Sequence, residues 1–145
     1  MPAAATTRPG SSSIHVIRPA GPADLPAIAA IQRTSPEAAA WDPTGYDVVV
    51  AEVDNRVVGF LVTRHVTEGE CEVLNLAVAP EYRRQGVGRS LLRSVLDGTV
   101  FLEVRESNRA ARSFYKSLGF QELSSRPGYY DNPLEGAIVL KFHSC

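Results

Sequence analysis

Short β-branched apolar runs alternate along this chain with stretches in which apolar residues recur every three or four positions, the pattern of strands alternating with amphipathic helices. Ile14 to Arg18 reads as a first strand, and Pro22 to Thr34 as a helix with Leu25, Ile28, Ala29 and Ile31 on its apolar face. Ser35-Pro36 ends that helix, because the residue before a proline is pushed out of the α region. Tyr46 to Val53 and Arg56 to Val62 are almost continuously apolar and are joined by Asp54-Asn55, a two-residue hairpin signal. Strands apolar on both faces are covered on both, which predicts helices on each side of a sheet. Glu72 to Val78 is a further strand. Gly86 to Leu96 reads as a helix with Val87, Leu91, Leu92, Val95 and Leu96 in one stripe and Arg89, Arg93 and Asp97 opposite. Thr99 to Val104 is a strand, and Gly136 to Phe142 is the last one. Between them Asn108 to Leu118 predicts a helix with Ala111, Phe114, Tyr115 and Leu118 along one side and Gly119 as its stop.

Composition narrows the class. With 145 residues, 44% of them hydrophobic, the chain has the length of one domain and enough apolar surface for a core without disulfides or metal. We expect a disordered leader over residues 1–13, rich in Ala, Thr, Pro, Gly and Ser, followed by one domain over 14–145. The leader lacks the apolar core of a signal peptide, and no stretch has the length of a membrane span. A formal net charge of −1 argues against sequence-independent binding to nucleic acid. Two cysteines, Cys71 and Cys145, fit a reduced cytoplasmic protein, and their spacing suggests no metal site. His15, His65 and His143 are scattered and read as structural or surface residues.

The segment Leu74 to Leu92, LNLAVAPEYRRQGVGRSLL, carries the most chemistry. A strand passes through a turn at Pro80 into a basic pair, two glycines and a helix. A helix N-terminus offers unpaired N–H groups and partial positive charge, and glycines allow close backbone approach, so the segment suits a phosphate-bearing ligand. Arg83, Arg84 and Arg89 add positive charge there. No Gly-Lys-Ser/Thr follows, which disfavours a Walker loop, and the third glycine of a dinucleotide fingerprint is missing. On spacing alone, a plain strand-to-helix turn remains an equal reading.

Arg83-Arg84-Gln85-Gly86-Val87-Gly88 resembles the Q/R-x-x-G-x-G/A signature of the GNAT acetyltransferases, placed as in that family after a strand ending LAV-x-P. The segment Leu102 to Phe120, LEVRESNRAARSFYKSLGF, resembles the matching stretch of the RimI-type members, which acetylate the N-terminal alanine of a small-subunit ribosomal protein. Arg18-Pro19-Ala20, Tyr129-Tyr130-Asp131 and Gly136 to Leu140 extend the similarity to about residues 16–142. The resemblance implies the GNAT α/β fold: a mixed, mostly antiparallel sheet, helices on both faces, and central strands splayed to form an acetyl-CoA cleft. It implies that Leu76, Ala77 and Val78 line the pantetheine arm, and that Arg83, Arg84, Gln85, Gly86, Val87, Gly88 and Arg89 hold the pyrophosphate. Asn108 would also touch the cofactor.

Attack on a thioester needs a neutral amine, a donor near the developing oxyanion and a proton for the departing thiolate. By resemblance Glu103 is the general base, acting through a water, and Tyr115 the general acid. The residues alone leave other readings open. Glu103 also reads as a solvated carboxylate or a partner for Arg105, Tyr115 as a core aromatic on its helix's apolar stripe, and Asn108 as a helix N-cap. Trp41 with Asp42-Pro43 falls where the family builds part of its acceptor groove, and equally reads as a packing residue. The stretch between Trp41 and Tyr46 is shorter than in the RimI type, and so is the helix after Gly88. The expected function is therefore acetyl-CoA-dependent N-acetylation of a peptide N-terminus, that of a ribosomal protein being the nearest example. The alternatives are an N-acetyltransferase for a polyamine, amino acid or aminoglycoside, whose acceptor pocket Glu37, Asp42 and Asp47 would make acidic, and a non-catalytic acyl-CoA-binding module. Neither a nucleic-acid nor a membrane partner is expected, and the sequence leaves the oligomeric state open.

Overall fold

A computed structural model describes residues 15–34, 46–131 and 134–144. The leader, Ser35-Pro36, Glu37, Trp41 with Asp42-Pro43, and Cys145 lie outside those residues. In chain order the elements are β1 (Val16–Pro19), a 3-10 turn (Pro22–Asp24), α1 (Leu25–Arg33), β2 (Asp47–Val53), β3 (Arg56–Thr67) and β4 (Glu70–Val78). A second 3-10 turn (Pro80–Tyr82), α2 (Val87–Arg93), β5 (Thr99–Arg105), α3 (Arg109–Ser117), β6 (Gln121–Asp131) and β7 (Leu134–His143) follow. The strands form one seven-stranded sheet in the order β1-β2-β3-β4-β5-β7-β6. β1 and β2, β5 and β7, and β6 and β7 pair antiparallel, while β4 and β5 pair parallel through Glu70–Glu72 and Thr99–Phe101. This is the mixed, mostly antiparallel α/β sheet expected from the sequence. Among the described residues no helix is long and apolar enough to cross a membrane.

Two compact units can be distinguished among the described residues, one drawn from 1–62 with 75–95 and the other from 63–74 with 96–145. In the first, the hairpin from β2 to β3 turns through Asp54 and Asn55, whose φ angles of 52° and 63° are the left-handed pair that matches strand twist. Val58, Phe60, Leu61 and Val62 are fully buried, as a strand covered on both faces requires. Gly59 lets that strand come close to α2: a Cβ there would stand 3.1 Å from Leu91 and 3.2 Å from Val87 and the Ala77 carbonyl. Ile28 and Ile31 bury the inner side of α1, while Leu25 and Ala29 face outward, so the buried stripe is narrower than the sequence pattern suggested. Arg18 makes a two-pronged ion pair with Asp24, both contacts 2.8 Å, and a third contact of 2.8 Å to Glu52.

In the second unit Val100, Leu102 and Val104 of β5 and Ala137, Ile138 and Leu140 of β7 are buried. Tyr115 of α3 and Phe120 join this core with their rings 5.6 Å apart. The start of β5 is tied to the end of β7: the Gly98 N–H donates to Ser144 Oγ at 2.9 Å, and Thr99 Oγ1 lies 2.8 Å from His143 Nδ1.

Several elements differ from the sequence expectation: β3 runs on to Thr67, β4 begins at Glu70, and Pro22–Asp24 forms a 3-10 turn before α1. The helix expected to reach Leu96 stops at Arg93; Val95 and Leu96 are half-buried after it. The strand Gln121–Asp131 had no counterpart in the sequence reading. It lies at the sheet edge, contains Pro127, and is exposed through most of Gln121–Pro127, so no alternation of apolar and polar residues marks it.

Candidate functional site

In the first unit, β4 delivers Leu76, Ala77 and Val78 to the start of the glycine-bearing loop. Ala77 is buried, whereas Leu76 and Val78 are half-exposed on the other face. The chain then turns tightly: Ala79 N–H donates to Val58 O (2.8 Å), Tyr82 N–H to Ala79 O (2.9 Å) and Arg83 N–H to Pro80 O (3.3 Å). Pro80 suits this turn because its fixed φ is already that of a first helical residue. Arg84 and Gly86 both have left-handed backbones, with φ of 64° and 85°. Gly86 takes that conformation at little cost, and it has no side chain with which to cap α2. The first intrahelical bond of α2 runs from the Ser90 N–H to Gly86 O at 3.0 Å, so the helix N-terminus opens at this glycine.

The side chains of this loop act on the protein as well. Arg83 donates through Nε to Val78 O (2.9 Å) and through Nη2 to Thr34 O (3.3 Å). Gln85 Nε2 donates to Glu81 O at 3.0 Å. Val87 is buried against the position of Gly59, while Arg84 is exposed. His15, expected to be a structural or surface residue, lies beside this loop with Nδ1 3.2 Å from Ser90 Oγ. Burial lowers the imidazole pKa.

In the second unit β5 and α3 carry Glu103, Asn108 and Tyr115. Glu103 pairs across the ladder with Val139, and its Oε2 accepts from Arg126 Nη1 at 2.7 Å. The sequence reading considered Arg105 as its partner. Arg105 instead lies 3.2 Å from Glu135, whose other oxygen accepts the Ser107 N–H at 2.7 Å. Neighbouring strand positions point to opposite faces, so Glu103 and Arg105 share a face but lie two residues apart. Register explains the choice of Arg126. It pairs with Ala137, and Glu103 with Val139 two residues along β7, so both project from one face. Nothing in the sequence marked Arg126, because its strand was not recognised.

Asn108 caps α3, its Oδ1 accepting the Ala111 N–H at 3.1 Å. Tyr115 is 9% exposed and packs edge-on against Phe114 and Phe120 at 5.2 and 5.6 Å. Burial pushes its phenol up to about 12, so it holds its proton throughout the physiological range. A buried neutral phenol and a strand carboxylate held by one guanidinium are groups that can give and take a proton. The loop of the first unit presents backbone donors and cationic side chains that can hold an anion. Among the described residues no group of three or more His, Cys, Asp or Glu could hold a metal ion.

The sequence model of an acetyltransferase (GNAT) domain matches residues 44–122, a span that includes Glu103, Tyr115 and the residues expected to bind the cofactor. A [ribosomal protein bS18]-alanine N-acetyltransferase of Escherichia coli K12 is 42% identical over 96 residues, 60% of this chain and 64% of that protein. Compared as structures, the chain resembles the Escherichia coli ribosomal-protein-S18-alanine N-acetyltransferase with a TM-score of 0.73 and 31% identity over 90% of this chain and 94% of that one. The lower identity belongs to the longer alignment. Ard1 of Thermoplasma volcanium superimposes with a TM-score of 0.79 at 28% identity, covering 90% of this chain and 98% of its own. With the match spanning half of its length and the fold agreeing, the chain belongs to the GNAT acetyltransferase family.

Proposed function

We propose that this protein transfers an acetyl group from acetyl-CoA to the N-terminal amine of a protein, in the manner of the RimI-type enzymes and in the cytoplasm. The observation that carries the reading is the 42% identity over 96 residues to a bacterial enzyme named for acetylating the alanine terminus of ribosomal protein bS18. In this reading the loop from Arg83 to Arg89, with Leu76, Ala77, Val78 and Asn108, holds acetyl-CoA. The left-handed Gly86, with His15 3.9 Å from the place a Cβ would take, and the helix N-terminus that follows it suit a pyrophosphate. Acetyl-CoA supplies the activated acetyl group; the chain's own residues move the protons.

Glu103 takes a proton from the acceptor amine through a water. An α-amine with a pKa near 8 costs about 1.4 kcal/mol to deprotonate at pH 7, and a lysine near 10.4 about 4.6 kcal/mol. One carboxylate is the more adequate base for the former, which favours a peptide N-terminus. Tyr115 hydrogen-bonds to the sulfur as negative charge builds there. With its pKa near 12 it enters the reaction protonated, and it acts as a donor to a thiolate whose own pKa is about 8.5.

A thiol-release assay with acetyl-CoA tests this. It compares a peptide beginning Ala-Arg, the same peptide with a blocked N-terminus and a free lysine, and a panel of polyamines and aminoglycosides. Turnover confined to the free N-terminus, and reduced by about 10²–10⁴ in Glu103→Gln and Tyr115→Phe, is the expected result. Turnover on small amines alone would replace the acceptor. Acetyl-CoA binding without turnover on any amine would overturn the catalytic reading.

A further inference from the structure

Arg83 occupies the first position of the loop assigned to the pyrophosphate, and its guanidinium is turned toward the protein. Nε reaches the carbonyl of Val78, the last residue of β4, and Nη2 reaches the carbonyl of Thr34, the residue that ends α1. Both acceptors stand at element ends: the last residue of a strand and a helix C-terminus whose last carbonyls have no helical donor. A cation is favoured at that end of a helix, and a planar fork with donors in fixed directions is suited to serve two such carbonyls together. A second tie runs alongside. Asn75 of β4, 5% exposed, donates through Nδ2 to Gln32 Oε1 of α1 at 2.6 Å. The strand that enters the loop is thus fastened to the last turn of α1 at two points, one before the loop and one at its first arginine.

We propose that the Arg83 side chain is a positioning residue: its two-carbonyl fork sets the path of the 83–88 loop, and its charge is not what holds the ligand's phosphates. The inference rests on the acetyl-CoA reading for its functional consequence, and on geometry alone for the tie itself. Fork and point charge make opposite predictions for lysine. A lysine keeps a positive charge able to bind phosphate, but its donors sit on one nitrogen and lack the two fixed, parallel directions of the fork.

The experiment compares Arg83→Lys and Arg83→Ala with the wild type. It measures acetyl-CoA affinity by calorimetry at two salt concentrations, steady-state kinetics with the Ala-Arg peptide, and amide hydrogen exchange in the ligand-free protein. Both variants are expected to weaken acetyl-CoA by a similar factor of about five to ten, the worth of one or two exposed charge-assisted hydrogen bonds. KM for acetyl-CoA should rise while kcat stays within about twofold. The salt dependence of binding should match the wild type, and amides of residues 31–34 and 82–86 should exchange faster in both variants. Wild-type affinity in Arg83→Lys, with a weaker salt dependence in Arg83→Ala, would identify a phosphate ligand and overturn the proposal. Unchanged hydrogen exchange in both variants would overturn the tie itself. Failure of the wild type to bind acetyl-CoA would instead remove the proposed function, and the exchange data would still decide whether the fork orders the loop.

Discussion

Replacing Asp24 with asparagine tests the ion-pair network that fastens the start of α1 to β1. Asp24 is 8% exposed and accepts both Arg18 prongs at 2.8 Å, and its Oδ2 also accepts the Gly21 N–H at 2.7 Å. The Arg18 guanidinium first, and the Gly21 amide second, hold its carboxyl down to about 2 from an ordinary value of 3.8. A carboxyl pKa lowered in the folded state stabilises that state above the unfolded pKa, and the gain is lost as pH falls through the folded value. The depression corresponds to about 2.4 kcal/mol at pH 7, about 2.2 at pH 4 and about 1.3 at pH 3. Asp24→Asn removes this ionisation, so urea unfolding should show a stability gap of roughly 2.4 kcal/mol at pH 7. That gap should narrow by about 1 kcal/mol by pH 3. Near neutral pH the melting temperature should fall by roughly 5–10 °C for a chain of this size. Pairing Asp24→Asn with Arg18→Met in a double-mutant cycle should give a coupling that also shrinks toward pH 3. A gap that keeps its pH 7 value at pH 3, or one below about 1 kcal/mol at pH 7, would refute the assignment of the charged carboxylate as the source of the stabilisation.

Two further outcomes follow from the second unit. Gly98 and Gly69 both have left-handed φ angles, of 76° and 78°, but a Cβ on Gly98 would collide with the Gly69 carbonyl, whereas one on Gly69 meets nothing within 4 Å. Gly69→Ala should therefore cost about 1 kcal/mol of backbone strain, and Gly98→Ala about 3 kcal/mol or more, as read by thermal or urea unfolding; equal costs would show that the close approach is not rigid. Tyr115 has a folded pKa raised to about 12, so its contribution is intact below pH 10 and is lost as pH rises toward 12. Wild-type stability should fall by roughly 2–3 kcal/mol across that window, while Tyr115→Phe, which keeps the ring contacts, should lose correspondingly less.

What the sequence discloses here depends on whether a feature is local. The Asp54-Asn55 hairpin was legible because two residues decide a turn, and both adopt the left-handed conformation the dipeptide favours. The buried run Val58 to Val62, the Asn108 cap and the Gly119 stop were legible for the same reason. The strand Gln121–Asp131 was not. Its register shifts between Glu122 and Ser124 and again between Arg126 and Tyr130, and each shift breaks the two-residue period by which a strand is recognised. Leu123 is its one large aliphatic residue, and it is 54% exposed. The cost falls on the reading of chemistry. The partner of Glu103 stands 23 residues away on that strand, and the pairing exists only because β7 aligns Ala137 with Arg126 and Val139 with Glu103. A candidate base could thus be named from its motif, but the cation that holds it could not. The same limit applies to Arg83: the motif gave its position in the loop, and only the fold brings the Thr34 carbonyl within reach of its guanidinium. The chemistry expected of a residue can be written in a short motif, whereas the contacts that orient it are set by register and packing between distant segments.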